Sequence, residues 1–420
     1  MIRTILAPIV GLAAAAVLLV PEAEGQEAVN QAATTVDERL TELERKNAAL
    51  EAQLEAYGEE LERLNLRDVI PALGESLYGM GPAASKVYGV EQGLSIGGYG
   101  EFLFTERTGS GSDTFDALRS VLYFGYKFDE DWVFNSEIEF EHASTGADGE
   151  VSLEFGYIDY LASDSLNARG GLVLVPMGLI NERHEPTTFL PANRPQTERR
   201  IIPTTWRENG LGVFGDVGGF AYKAYAVNGF DGEGFDASGL RGGRQKGSKA
   251  KAEDFAFVGR LDWVDTPGLL LGGSLYYGDS GQDEPGIPDL ATTILELHAE
   301  YETGPWSFRA LAAMAHVDDA GDFNDATGET LAKRLEGFYA EVGYDLLADR
   351  SQSLTPFVRW ETIDTQASMP SGFNADSDQD DDIVTFGLTY QPIDQVVIKL
   401  DYEDWDGSGD QWNFLIGYVF

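Results

Sequence analysis

The sequence predicts an all-β fold, a sixteen-stranded antiparallel transmembrane β-barrel preceded by an α-helical coiled-coil segment. Three observations predict it. Many stretches of about ten residues, the length of a tilted membrane strand, place an apolar side chain at every second position. The connections between them alternate between tight turns and long polar loops. Ahead of them all, one apolar series is spaced by alternating fours and threes.

The last strand is the clearest. From Gln411 to Phe420 one face carries Trp412, Phe414, Ile416, Tyr418 and Phe420. Aromatics two residues apart behind a terminal Phe look like the recognition signal of outer-membrane proteins. The alternation recurs in Leu122, Phe124, Tyr126 and Phe128, and in Val396, Ile398, Leu400 and Tyr402. In Trp132, Phe134, Ile138 and Phe140 it runs opposite Asn135, Glu137, Glu139 and Glu141.

Strands are expected near 94–106, 116–128, 131–142, 151–162, 166–178, 205–215, 219–229 and 255–264. The rest fall near 269–279, 292–302, 306–317, 333–345, 354–365, 383–391, 395–404 and 411–420. An even number suits a single-chain bacterial barrel. Tight junctions such as Asp129-Glu130-Asp131, Asp216-Val217-Gly218 and Thr303-Gly304-Pro305 fall at every second connection. Short turns belong on the periplasmic side and long loops outside. Both ends of the barrel segment, 94–420, are then expected in the periplasm.

The N-terminal elements follow. Met1-Ile2-Arg3, the apolar run Ile5 to Val20 and Ala23-Glu24-Gly25 describe a secretory signal peptide over residues 1–25. Its apolar run is shorter than the ~20 residues of a spanning helix. Residues 26–65 are expected to form a periplasmic coiled coil. Val36, Leu40, Leu43, Asn47, Leu50, Leu54, Tyr57, Leu61 and Leu64 mark its a and d positions. Lys46 at g and Glu51 at the following e are placed to pair between chains, and Asn47 at an a position fixes register. A lone amphipathic helix packed on the barrel is the other reading. A two-residue seam per heptad suits a partner helix better. The coil implies oligomerisation and leaves two and three strands open. Residues 66–93, with Pro71, Pro82 and several glycines, read as a linker.

Composition excludes several classes. There is no cysteine, which removes disulfides, thiolate chemistry and an N-terminal lipid on cysteine. A net charge of −42 argues against nucleic-acid binding, which needs a basic surface. The four histidines, His142, His184, His298 and His316, form no metal-spaced pair, and no nucleophile–base arrangement is visible. Neither an enzyme nor a cofactor site is expected.

The inward positions are polar and mixed. Arg119, Lys127, Arg169, Lys223, Arg260, Arg309, Arg359 and Lys399 interleave with Glu137, Glu139, Glu154, Asp262, Glu296, Glu341, Glu361 and Asp401. Such a lumen suggests a water-filled channel. The loop after the fifth strand carries Arg183, Arg194, Arg199, Arg200 and Arg207 against three glutamates, stiffened by Pro186, Pro191, Pro195 and Pro203. Folded into the barrel, it would set the constriction with these five arginines. On the surface, it would make contacts between subunits.

The run Ala168-Arg169-Gly170-Gly171-Leu172-Val173-Leu174-Val175-Pro176-Met177-Gly178-Leu179, followed by Asn181-Glu182, resembles the G-x-x-x-x-P-x-G-L strand end of the phosphate-selective (O/P-type) outer-membrane porins. Ala226-Val227-Asn228-Gly229 is similar too, and a coiled coil before the barrel is seen among relatives. The resemblance implies a homotrimer of sixteen-stranded barrels with the third loop folded into each pore. Phosphate selectivity is not implied with it, because the lysine-rich cluster of the family's constriction is missing. The expected function is passive diffusion of small hydrophilic solutes or ions, anions among them. The expected surroundings are outer-membrane lipid and lipopolysaccharide. The alternative is a structural tether that links the outer membrane to the cell wall through the coil.

Overall fold

The computed structural model describes residues 39–55, 57–58, 73–109, 111–143, 149–407 and 409–420. The chain divides into two units, Met1–Leu66 and Arg67–Phe420. The signal-peptide segment lies outside the described residues, as do Val36, Leu61 and Leu64 of the apolar seam.

In the first unit, residues 39–55 form a helix, α1, as its Glu, Arg, Gln, Ala and Leu content favours. Lys46 pairs with Glu42 one turn earlier at 2.9 Å. The seam is uncovered: Leu43 is 64% exposed and Leu54 70%, and Leu40, Leu50 and Tyr57 are exposed as well.

The second unit is a closed barrel of sixteen antiparallel strands, each hydrogen-bonded to its neighbours in sequence. They are β1 Gly93–Arg107, β2 Thr114–Lys127, β3 Trp132–Glu141, β4 Val151–Ser163, β5 Leu166–Leu174, β6 Arg207–Val217, β7 Phe220–Asn228 and β8 Phe255–Thr266. Then come β9 Leu269–Gly278, β10 Thr292–Thr303, β11 Trp306–Val317, β12 Arg334–Tyr344, β13 Ser353–Ser368, β14 Asp380–Ile393, β15 Val396–Trp405 and β16 Gln411–Val419. β1 pairs with β16 from Tyr99↔Val419 to Arg107↔Gln411, so the sheet has no free edge. Phe420 adds a further step, with its amide and carbonyl both bonded to the backbone of Gly98.

Alternation decides which face meets which medium. On β16 Trp412, Phe414 and Ile416 are exposed, while Asn413, Leu415 and Val419 are buried inside. On β3 Trp132 and Phe140 face out and Asn135, Glu137 and Glu139 face in. Near the short turns, aromatic pairs gird the outside: Trp132 with Tyr160, Phe220 with Trp263 and Trp306 with Tyr344, at 4.7–4.9 Å between ring centroids. Towards the long loops Tyr402 joins Trp412 at 5.0 Å. Two aromatic bands around an apolar wall match the two interfaces of a bilayer. Among the described residues no helix is long and apolar enough to cross a membrane.

Two expectations need correction. β5 ends at Leu174 and not at residue 178. Apolar residues continue past its end, but Gly178 adopts φ +73° and turns the chain inward. The segment read as a linker is also no free connection along its second half. Met80, Ala83, Ala84, Val87 and Val90 are all at most 5% exposed and sit against the inside of the barrel. A four-residue helix, α2 (Lys86–Gly89), lies within this stretch. Its side chains meet the wall where the wall is bare: a Cβ on Gly125 would stand 2.4 Å from Val87.

Candidate functional site

The lumen is crossed by the loop between β5 and β6, residues 175–206, here called loop 3. Local chemistry explains why it turns in and stays in. Asn181 joins its two ends: its amide donates to the carbonyls of Val175 (2.7 Å) and Trp206 (2.9 Å), and its Oδ1 accepts from the Trp206 amide (2.6 Å). Glu198 is fully buried and accepts from the amides of Leu179 and Ile180, both at 2.8 Å, and from the Tyr339 hydroxyl at 2.6 Å. Its carboxylate passes so close to Gly178 that a Cβ there would lie 2.3 Å from it. The Pro176-Met177-Gly178-Leu179 pattern therefore has a physical reason: a left-handed turn over a buried carboxylate.

Around the circumference, inward side chains hold this loop. Lys399 donates to the carbonyls of Phe189 (2.8 Å) and Pro191 (3.0 Å). Asp401 accepts from the Ala192 amide at 2.6 Å, and Glu361 from the Thr197 amide at 2.6 Å. Arg309 donates to the Thr188 carbonyl at 2.8 Å. The inward charges anticipated from alternation are thus inward, but many hold protein and do not line open water. Cavities remain beside the loop. One, of about 490 Å³, is lined by Lys223, Arg260, Glu182 and Asp262 among others. Another, of about 340 Å³, is lined by Glu300, Arg309 and Glu341.

Most anticipated site residues form pairs. Arg119 forms an ion pair with Glu101 at 2.8 Å and lies 3.5 Å from Glu139. Arg169 grips Asp159 at 2.8 Å, Lys223 holds Glu182 at 2.5 Å, and His184 sits 3.2 Å from Glu137. Lys127 reaches the Tyr88 carbonyl at 3.5 Å. Of the five arginines expected at the constriction, three are neutralised in different places. Arg183 pairs with Glu300 on β10, Arg207 with Glu154 on β4 at 2.7 Å, and Arg200 with Asp381 on β14 at 3.3 Å.

Arg194 and Arg199 remain, and two residues that sequence reasoning missed join them. Arg241 and Arg244 come from the loop after β7, residues 229–254. Arg244 donates to the carbonyls of Thr204 (3.1 Å) and Thr205 (2.9 Å), and Arg241 also bonds Thr204. The glycine-rich loop is thereby fixed onto the end of loop 3. Among the described residues, none of these four arginines forms an ion pair. Burial first, and then the charges of Arg244, Arg199 and Arg194, lower the proton affinity of Arg241. A guanidinium starts from so high a pKa that it keeps its charge. The missed signal was Arg241 to Lys251, a basic run in an acidic chain.

Glu185 of loop 3 accepts from the amides of Ala83 and Ala84, at 3.0 Å each. Burial pushes its carboxyl up to about 7, against the pull of those amides and of His184. A raised carboxyl pKa means that the docked arrangement binds the proton more tightly. Its stabilisation is complete below about 4.5, is lost as pH rises, and is gone above about 7. Hydrogen-exchange protection factors of Ala83 and Ala84 are therefore expected to fall between pH 5 and pH 7.5. Glu185→Gln should abolish that fall, and an unchanged fall in the variant would contradict this origin.

A protein of Aquifex aeolicus (strain VF5), described as uncharacterized, is 38% identical over 369 residues, spanning 83% of this chain and 84% of that protein. The chain belongs to its family. No family model matches this chain. Among solved structures, Salmonella typhi OmpF in complex with daunomycin is similar with a TM-score of 0.55 at 13% identity, covering 79% of this chain and 98% of that one. A loop L8 deletion mutant of OmpT, an outer-membrane protein of Vibrio cholerae, gives 0.52 at 10% identity, covering 79% and 100%. At such identities the likeness shows the fold, a closed sixteen-stranded antiparallel barrel.

Proposed function

We propose that the protein is an outer-membrane porin, a passive channel for small hydrophilic solutes whose waist is set by loop 3 and favours anions. The observation that carries this reading is the set of four arginines on loop 3 and on the loop after β7, none of them in an ion pair among the described residues, inside a barrel with an apolar skin. Fixed charge at a narrow, low-dielectric passage raises the local concentration of the opposite ion. Of the five arginines expected at the waist, Arg194 and Arg199 keep that role, and Arg241 and Arg244 take the places of the paired ones. Outer-membrane lipid surrounds the wall between the aromatic bands, with lipopolysaccharide in the outer leaflet.

The protein works as a homotrimer in this reading, with the N-terminal coil in the periplasm. The exposed Leu43, Leu50 and Leu54 support a helical partner, since such a stripe is unfavourable in water. Replacing Leu43 and Leu50 together by Asp is expected to weaken assembly in cross-linking of the purified full-length protein. Unaltered assembly would remove the coil from the account. The channel itself is tested by single-channel recording in planar bilayers, where stepwise conductance is expected. Its absence at every salt concentration would reject the reading.

A further inference from the structure

The stretch from Leu77 to Val90 is seated in the barrel in a way that a linker does not require. Tyr88 donates to Asp159 at 2.7 Å and accepts from Arg169 at 3.0 Å. Asn135 donates to the Ala84 carbonyl at 2.9 Å. Tyr78 packs edge-on against Phe214 at 5.2 Å, on the wall away from β1. The seat is cleared for it: a Cβ on Gly97 would meet the Ala83 carbonyl at 2.9 Å, and one on Gly125 would overlap Val87. Every strand residue named here lies in the half of its strand nearer the short turns.

The way the segment is attached differs from that of the strands. Its main-chain bonds, such as Ser85 amide to Gly81 carbonyl, are internal. Among the described residues, none joins the main chain of 77–90 to that of a strand. Side chains alone hold it, so it can leave without opening the sheet. Ser76–Gly79 line the cavity of about 490 Å³, and Leu73, Gly74 and Pro82 line another of about 320 Å³. This end of the chain thus stands between voids on the short-turn side.

We propose that residues 77–90 are a removable plug that occupies the periplasmic mouth and limits conductance through the barrel. The proposal rests on the channel reading. Its ligand is the chain's own segment, recognised by Tyr88 on Asp159 and Arg169 and by the Ala83 and Ala84 amides on Glu185. Leaving the seat exposes a glycine-lined wall and joins the voids on either side.

The test uses full-length protein in planar bilayers. In one variant residues 77–90 are replaced by a Gly/Ser stretch of equal length. In a second, Tyr88→Ala is combined with Asn135→Ala, which keeps the segment but removes two of its ties. Retention of the barrel is checked by its resistance to detergent until heated. A several-fold larger conductance in the first variant, with frequent transitions to a larger level in the second, supports the plug. Wild-type conductance in a folded first variant, or in the second if the first does not fold, overturns it. Conductance in none of the three proteins would overturn the channel reading as well, so the two failures are told apart.

Discussion

Neutralising Arg194, Arg199, Arg241 and Arg244 together, each to Gln, is expected to turn an anion-preferring pore into a cation-preferring one. Among the described residues these four form no ion pair, whereas several other cations around loop 3 do. Arg119, Arg169, Arg207 and Lys223 each have a carboxylate within 2.8 Å. A unit charge 4 Å away is worth about 1–4 kcal/mol before screening, and a Debye length of about 8 Å leaves roughly 1–2 kcal/mol, about a tenfold ion bias. With the four charges gone, Glu141 and the other acids of the chain dominate. Zero-current potentials should therefore change sign between wild type and variant. The single change Arg183→Gln should leave the sign alone, because Arg183 already balances part of Glu300.

The second large effect concerns the base of loop 3. Gly178→Val is expected to release the loop from the lumen and raise conductance several-fold. The site has φ +73°, and a non-glycine residue in that region costs about 1–2 kcal/mol, more when β-branched. The added Cβ would also displace Glu198, which holds Leu179, Ile180 and Tyr339. Stranding a buried carboxylate adds about 1–3 kcal/mol or more. The strands do not depend on this contact, so the barrel should persist while the loop moves. Recording single-channel steps from the variant checks this. Unchanged steps would mean that loop 3 does not set the waist.

The barrel was largely legible because a membrane strand must alternate: one face meets lipid and the other the lumen. Phe414 and Asn413 therefore declare their sides without reference to any other strand. β5 was overrun because Val173, Leu174 and Val175 are apolar for a different reason, as all three are buried at the entry to the loop. The inward position of Arg119 or Lys223 was legible from parity, whereas its partner was not. Pairing depends on which strand or loop lies opposite, and nothing local specifies that Lys223 meets Glu182.

The plug was hidden by Pro82 and its glycines. A helical signal was nevertheless present, since Met80, Ala83, Ala84, Val87 and Tyr88 repeat at one face's spacing. Arg241 and Arg244 were hidden differently. A glycine-rich loop reads as solvated, and only its fold onto Thr204 and Thr205 brings those charges against loop 3.

The most direct test of the anion-favouring, loop-narrowed channel is the zero-current potential of the wild-type protein across a planar bilayer in a KCl gradient. The account predicts stepwise conductance and a potential with the sign of the chloride equilibrium potential. A potential with the sign of potassium, or a bilayer that never conducts, would contradict it.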